Sequence, residues 1–186
     1  KTFPGPQGGI ILGKKELKQG IEGACFPMFD NRHMHKIAAL AMTLAEMLAL
    51  GKQYATQVVK NAKTLARALD EAGIPVKCAH KGYTKSHQVL LDMKVPTKIE
   101  DVTRRLEEAN IIVDRGIRLG TQELTRLGMR EDEMRRVAGF FKRVIVDHEK
   151  PGSVAVDIRE MCGEFGKVRY CFEDAEAYQY HVFGKT

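Results

Sequence analysis

The chain has 186 residues, 44% hydrophobic and 29% charged, with 17 glycines, 6 prolines and no low-complexity run, which excludes a disordered segment, a collagen-like repeat and a mini-protein that needs staples. Thirty Lys and Arg against 24 Asp and Glu leave a net charge of +6, but the two signs are interleaved, which favours a solvated surface over a nucleic-acid-binding stripe. The longest apolar stretch, Ile37 to Leu50, is broken by Thr43 and Glu46 and is too short to cross a bilayer, and the opening Lys-Thr-Phe-Pro-Gly is not that of a signal peptide.

In chain order, the first element is the apolar run Gly8 to Leu12, bounded by turn-forming residues and read as a buried strand. From His33 to Leu50 nearly every second or third residue is Ala, Leu, Met or Ile, which predicts a helix buried on most of its circumference. Gly51 is read as its interruption. Tyr54, Val58, Ala62, Leu65 and Leu69 then recur at spacings of three and four, the pattern of a one-faced helix ending near Gly73 and Pro75. The switch from all-round to one-sided burial places a domain boundary near Gly51. Strands are expected at Pro75 to Ala79 and His87 to Met93.

Thr97 with Glu100 fits a capping box that opens a helix with Ile99, Val102, Leu106 and Ala109 on its face. Two short runs follow, Ile111 to Val113 and Gly116 to Leu119. A helix after Met129 carries Asp132 and Glu133 in its first turn, where the dipole favours them, and buries Met134, Val137, Phe141, Val144 and Ile145. The last helix opens at Pro151, with Val154, Ile158, Met161 and Phe165 on one face. Strands alternating with helices predict an α/β layered architecture.

The phrase Lys1 to Gly9 joins one amine to a backbone stiffened by two prolines and freed by three glycines. Such a loop suits a phosphate or a cofactor held by a Schiff base; the competing reading is a surface turn before a strand. His33 and His35 lack carboxylate or cysteine partners at ligand spacing, so capping or interface roles are expected and no metal. His87 is read as a hydrogen-bonded structural histidine, and Met42 and Met47 as helix core. Cys25, Cys78, Cys162 and Cys171 show no C-x-x-C spacing and no disulfide framework is needed, which points to a reducing cytoplasm.

Several phrases, taken whole, narrow the choice. Lys1-Thr2, then Gly5-Pro6-x-Gly8-Gly9 and Ile10-Ile11-Leu12, resembles the segment of serine hydroxymethyltransferases that begins at their pyridoxal phosphate lysine. The resemblance continues through Cys25-Phe26-Pro27, Asn31-Arg32-His33-Met34-His35, Gln57-Val58-Val59-Lys60-Asn61-Ala62-Lys63 and Thr84-x-x-His87, and ends with Gly116-Ile117-Arg118-Leu119-Gly120-Thr121-Gln122-Glu123-Leu124-Thr125-Arg126-x-Gly128-Met129. Gly-Tyr-Thr-x-Ser-His-Gln and Gly-Thr-Gln-Glu are similar to the archaeal branch.

This resemblance implies an aspartate-aminotransferase-like fold, fold type I of the pyridoxal phosphate enzymes. Residues 1–51 are then the end of the large cofactor domain and 52–186 the α+β small C-terminal domain. It also implies a cytoplasmic homodimer that interconverts serine and glycine, with tetrahydrofolate or a tetrahydromethanopterin-type pterin as one-carbon carrier. Lys1 takes the role of the lysine that holds the cofactor, with Gly8 and Gly9 beside it. Phe26 and Pro27 belong to a loop that reaches the phosphate bound by the neighbouring subunit. Arg118 matches the arginine that meets the substrate carboxylate.

Three departures stand out. Met28-Phe29-Asp30 replaces the usual glycine, Gln7 replaces an arginine of bacterial relatives, and the passage Asn110 to Arg115 is short, as a break between Asp114 and Arg115 would explain. A chain opening at Lys1 is read as a piece of a longer one, and residues 1–186 alone are expected to be inactive. The rivals are a threonine aldolase or transaldolase of the same fold and, from another class, a basic RNA-binding module.

Overall fold

The computed structural model describes residues 3–25, 28, 31, 33–92, 99–173 and 175–177. They fall into two units, residues 3–49 and the residues from Leu50 onward, and each is taken by itself.

In the first unit the run Gly8 to Leu12 forms no strand, contrary to the sequence expectation, and its apolar side chains are exposed, Leu12 by 90%. An extended segment needs a ladder partner for its N–H and C=O groups, and the described residues offer none here. A 3-10 turn at Lys15–Leu17 leads into α1 (Lys18–Cys25), which no apolar period announces. Next comes α2 (Met34–Glu71), a single helix of 38 residues. Gly5, at φ +117°, lies against this helix: a Cβ there would come within 2.7 Å of Thr43 Oγ1. Thr43 is the one residue classed as buried among residues 34–49, and its hydroxyl donates to the Ala39 carbonyl at 3.0 Å.

Two expectations for α2 need correction. Gly51 does not interrupt it, because an interior glycine costs only about 1 kcal/mol, and here strong helix formers run on both sides. Its first half is not buried all round either: Met34, Ile37, Met42 and Leu44 are exposed, and Leu48 by 90%, since nothing among the described residues covers them. As one continuous helix, α2 is also long and apolar enough to cross a membrane, which the shorter stretch read from sequence was not. Its second half, however, lies against a folded core on one side and exposes Lys60, Lys63 and Arg67 on the other.

That core belongs to the second unit. Tyr54, Val58, Ala62, Leu65 and Leu69 are buried at the expected spacing, joined by Ala66. The helix closes with Ile74 N–H donating to the Leu69 carbonyl at 2.9 Å. The predicted strand Pro75 to Ala79 shrinks to one antiparallel bridge between Val76 and Leu91, because the chain leaves extended geometry at Cys78 (φ +61°) for a 3-10 turn at Ala79–Lys81. β1 (Gln88–Leu90) follows, shorter than the expected His87 to Met93, whose last residue lies outside the described set. Thr97 of the predicted capping box lies outside it too. The helix it was to open, α3 (Ile99–Glu108), is present, with Val102 and Leu106 buried and Ala109 buried just beyond it.

The run Ile111 to Val113 is loop. β2 (Arg118–Gly120) pairs antiparallel with β1 in the register Gln88 with Gly120, Val89 with Leu119 and Leu90 with Arg118. α4 (Gln122–Arg126) was not anticipated. α5 (Glu131–Ile145) starts where expected, its first turn capped by Glu133, whose carboxylate accepts the Arg130 N–H at 2.7 Å. α6 (Pro151–Gly163) has proline in its first turn. A second antiparallel pair, β3 (Lys167–Val168) and β4 (Ala175–Glu176), was also missed. Helices α3, α5 and α6 pack on one another, and Met134, Ala138, Phe141, Val144, Val154, Ile158 and Met161 join the α2 residues, Val89 and Leu119 in one core.

Candidate functional site

The alternation of β2 decides where its arginine points. Leu119 is buried in the core while Arg118 and Gly120 are exposed, so the Arg118 side chain lies on the outer face with its partner Leu90. The approach to β2 is a turn in which Ile117 N–H donates to the Asp114 carbonyl at 3.0 Å, and Ile117 is buried at φ +44°. The Asp114 carboxylate folds back over this turn. Its Oδ1 accepts the Arg118 backbone N–H at 2.9 Å, and its Oδ2 lies 3.5 Å from Arg118 Nε. The short passage from Asn110 to Arg115 thus ends in a tight turn that sets Asp114 beside Arg118. His87 stands one residue before β1, and its carbonyl accepts the Thr121 N–H at 3.2 Å. Burial first, and the Arg118 charge second, hold its imidazole below the ordinary value.

The residues after Arg118 are fixed by a buried polar chain that sequence reasoning missed. Thr121 Oγ1 donates to the Val58 carbonyl at 2.9 Å, and Thr125 Oγ1 donates to the Thr121 carbonyl at 2.7 Å. Asn61 Nδ2 donates to both Thr125 Oγ1 and the Met129 carbonyl at 2.9 Å. Gln57 Nε2 donates to Asn61 Oδ1 at 2.9 Å and to Glu131 Oε2 at 3.0 Å. The carboxyl of Glu131 is held below its ordinary value, mainly by a backbone N–H at the start of α5 and also by Gln57. Gln57 and Asn61 stand four apart on one face of α2, and Thr121 and Thr125 four apart at the start of α4, but the spacing alone does not say that the two pairs meet.

Of the other predicted site residues, Gly8 and Gly9 lie in the first unit, exposed, and a Cβ on either would meet nothing within 4 Å. Backbone without side chains leaves room for an anionic group to approach closely, as a guanidinium fits a carboxylate. Lys1, Phe26 and Pro27 lie outside the described residues, as do Phe29 and Asp30. His33 and His35 are exposed with their rings edge to face at 5.7 Å, and the His33 N–H is taken by Asn31 Oδ1. All four cysteines are free.

Comparison with known proteins decides between families. The family model described as serine hydroxymethyltransferase matches residues 1–141. This chain belongs to the serine hydroxymethyltransferase family. The serine hydroxymethyltransferase of Methanocella arvoryzae is 46% identical over 198 residues, covering 98% of this chain and 47% of that protein. That of Methanocaldococcus jannaschii is 45% identical over 203 residues, again 98% of this chain and 47% of the relative. The chain thus spans about half the length of the curated relatives it matches. An alignment of 203 residues is longer than the 186 of the chain, so the relative carries residues that this sequence lacks. Among solved structures, L-threonine transaldolase from Pseudomonas fluorescens in its internal aldimine state is 31% identical with a TM-score of 0.83, covering 97% of this chain and 44% of that one. The fold is therefore that of a fold type I pyridoxal phosphate enzyme, and the sequence resemblance to the archaeal-type serine hydroxymethyltransferases holds.

Proposed function

We propose that the chain is the C-terminal half of a pyridoxal phosphate enzyme that interconverts serine and glycine by passing a hydroxymethyl group to and from a reduced pterin. The observation that carries this reading is the family match over residues 1–141, a span that includes both Lys1 and Arg118. The carrier is tetrahydrofolate or a tetrahydromethanopterin-type pterin. Residues 1–51 end the large domain and 52–186 form the small one. The exposed apolar side chains of α2 between Met34 and Leu48 support a covering by the rest of the protein, since such a surface is costly in water. The working form is a cytoplasmic homodimer, with Phe26 and Pro27 at the subunit boundary.

Lys1 contributes an amine to the cofactor, and the absence of side chains at Gly8 and Gly9 leaves room for its close approach. Arg118 meets the substrate carboxylate and fixes the orientation of the amino acid, which is where much of the rate gain in such chemistry arises. When bound, pyridoxal phosphate supplies an electron sink for the pair left behind as the hydroxymethyl group departs. The transaldolase neighbour favours a second reading, action on β-hydroxy amino acids other than serine.

Both readings require Lys1. Borohydride treatment of the full-length protein with pyridoxal phosphate, followed by peptide mass mapping, is expected to place the reduced pyridoxyl group on Lys1; a different lysine, or none, ends the assignment. Comparing serine and threonine cleavage with and without the pterin then separates the two activities.

A further inference from the structure

The neighbour of the Arg118 guanidinium is a carboxylate of the same chain, and it is held by more than the ion pair. Asp114 Oδ1 accepts the Arg118 backbone N–H at 2.9 Å, while the Asp114 carbonyl accepts the Ile117 N–H at 3.0 Å. These two bonds fix the carboxylate in the turn before any guanidinium contact is made. Its second oxygen then lies 3.5 Å from Arg118 Nε. A carboxylate already ordered by the backbone loses little further freedom on pairing, so it competes well with one arriving from solution. If the arriving group takes the other edge of the guanidinium, the Asp114 charge still opposes it.

We infer that Asp114 is an internal competitor for the anion that Arg118 receives, and so a residue that sets how weakly the chain holds the carboxylate of its amino acid. This inference rests on the reading of Arg118 given under Proposed function. Its basis is local. The passage from Asn110 to Arg115 is short enough for the turn to bring Asp114 back to Arg118, and the Arg118 side chain is 57% exposed, so water moderates the pair without removing it.

The consequence is readable in equilibrium binding. Asp114→Asn removes the charge yet keeps an Oδ1 that accepts the Arg118 N–H, so the turn survives. Titration calorimetry of glycine into the full-length protein loaded with pyridoxal phosphate is expected to show glycine bound about two- to five-fold tighter by Asp114→Asn than by the unsubstituted protein, the range of an exposed pair. Glycinamide, which lacks the carboxylate, should show no such gain. Asp114→Ala, with its melting temperature measured alongside, separates loss of charge from loss of the turn: tighter glycine binding in both variants supports competition. Unchanged or weaker binding in Asp114→Asn overturns it, the weaker result meaning that Asp114 orients the arginine instead. Arg118→Lys tests the reading beneath: if glycine binding survives that change, Arg118 is not the carboxylate partner and the competitor falls with it. Binding lost in Arg118→Lys but unaffected in Asp114→Asn removes the competitor alone.

Discussion

At the scale of single residues, the side chain with the most depending on it is Asn61. It is fully buried and makes three hydrogen bonds, two as donor to Thr125 and Met129 and one as acceptor from Gln57, which tie α2 to the segment after β2. A buried polar atom left without its partner costs about 1–3 kcal/mol. Asn61→Ala strips the donor from the Met129 carbonyl, so a loss of stability of about 1–3 kcal/mol in denaturant unfolding is expected. Asn61→Asp is expected to be worse, since it keeps the shape but replaces the donor by an oxygen facing a carbonyl and buries a charge. If the two variants unfold at the midpoint of the unsubstituted chain, the network does not hold the arginine-bearing segment. This part of the site was hidden in the sequence because polar residues at helix spacing look like a solvated face until the partner helix is known. Arg118 was legible for a different reason: its motif is contiguous, and one strand carries both the buried Leu119 and the exposed arginine.

At the scale of elements, the periodic segments were readable and the aperiodic ones were not. The second half of α2, α3, α5 and α6 bury most of the residues their spacing names, because a helix that lays one stripe on a core writes that stripe into the sequence; the exceptions lie at the edges of the stripe, with Ile99 exposed and Val137, Ile145 and Phe165 half-buried. Gly8 to Leu12 failed because a strand is defined by its neighbour, and an apolar run does not say whether that neighbour is at hand. The β3 and β4 pair failed because two residues are too few to show alternation. Glycine placement gives a test of how far local geometry rules. Gly139 sits inside α5, and a Cβ there would meet nothing within 4 Å, so Gly139→Ala is expected to raise stability by about 0.5–1 kcal/mol through the lost freedom of the unfolded chain. Gly128 has φ +95°, and a Cβ there would lie 3.3 Å from Arg169 Cγ, so Gly128→Ala should lower it. Thermal unfolding of the pair reads both signs; a loss in Gly139→Ala would mean that the space beside α5 is filled in the working protein.

At the scale of the whole molecule, burial divides one continuous helix. Every member of the principal core lies between Ala62 and Met161, whereas the first half of α2 keeps only Thr43 buried. Removing residues 1–49 therefore takes away no core side chain, and Tyr54, the first buried residue after the cut, still has four residues of helix before it. Residues 50–186 expressed alone are expected to unfold in one cooperative transition near the midpoint of the 186-residue chain. In the longer chain, amide exchange should follow burial more than secondary structure. The amides around Val58 to Leu69 open only with the core, while those between Met34 and Leu48 exchange by local fraying although the same helix runs through both. Equal protection along α2 would mean that its first half is held by contacts of its own, and the apolar side chains there would no longer argue for a covering half of the protein.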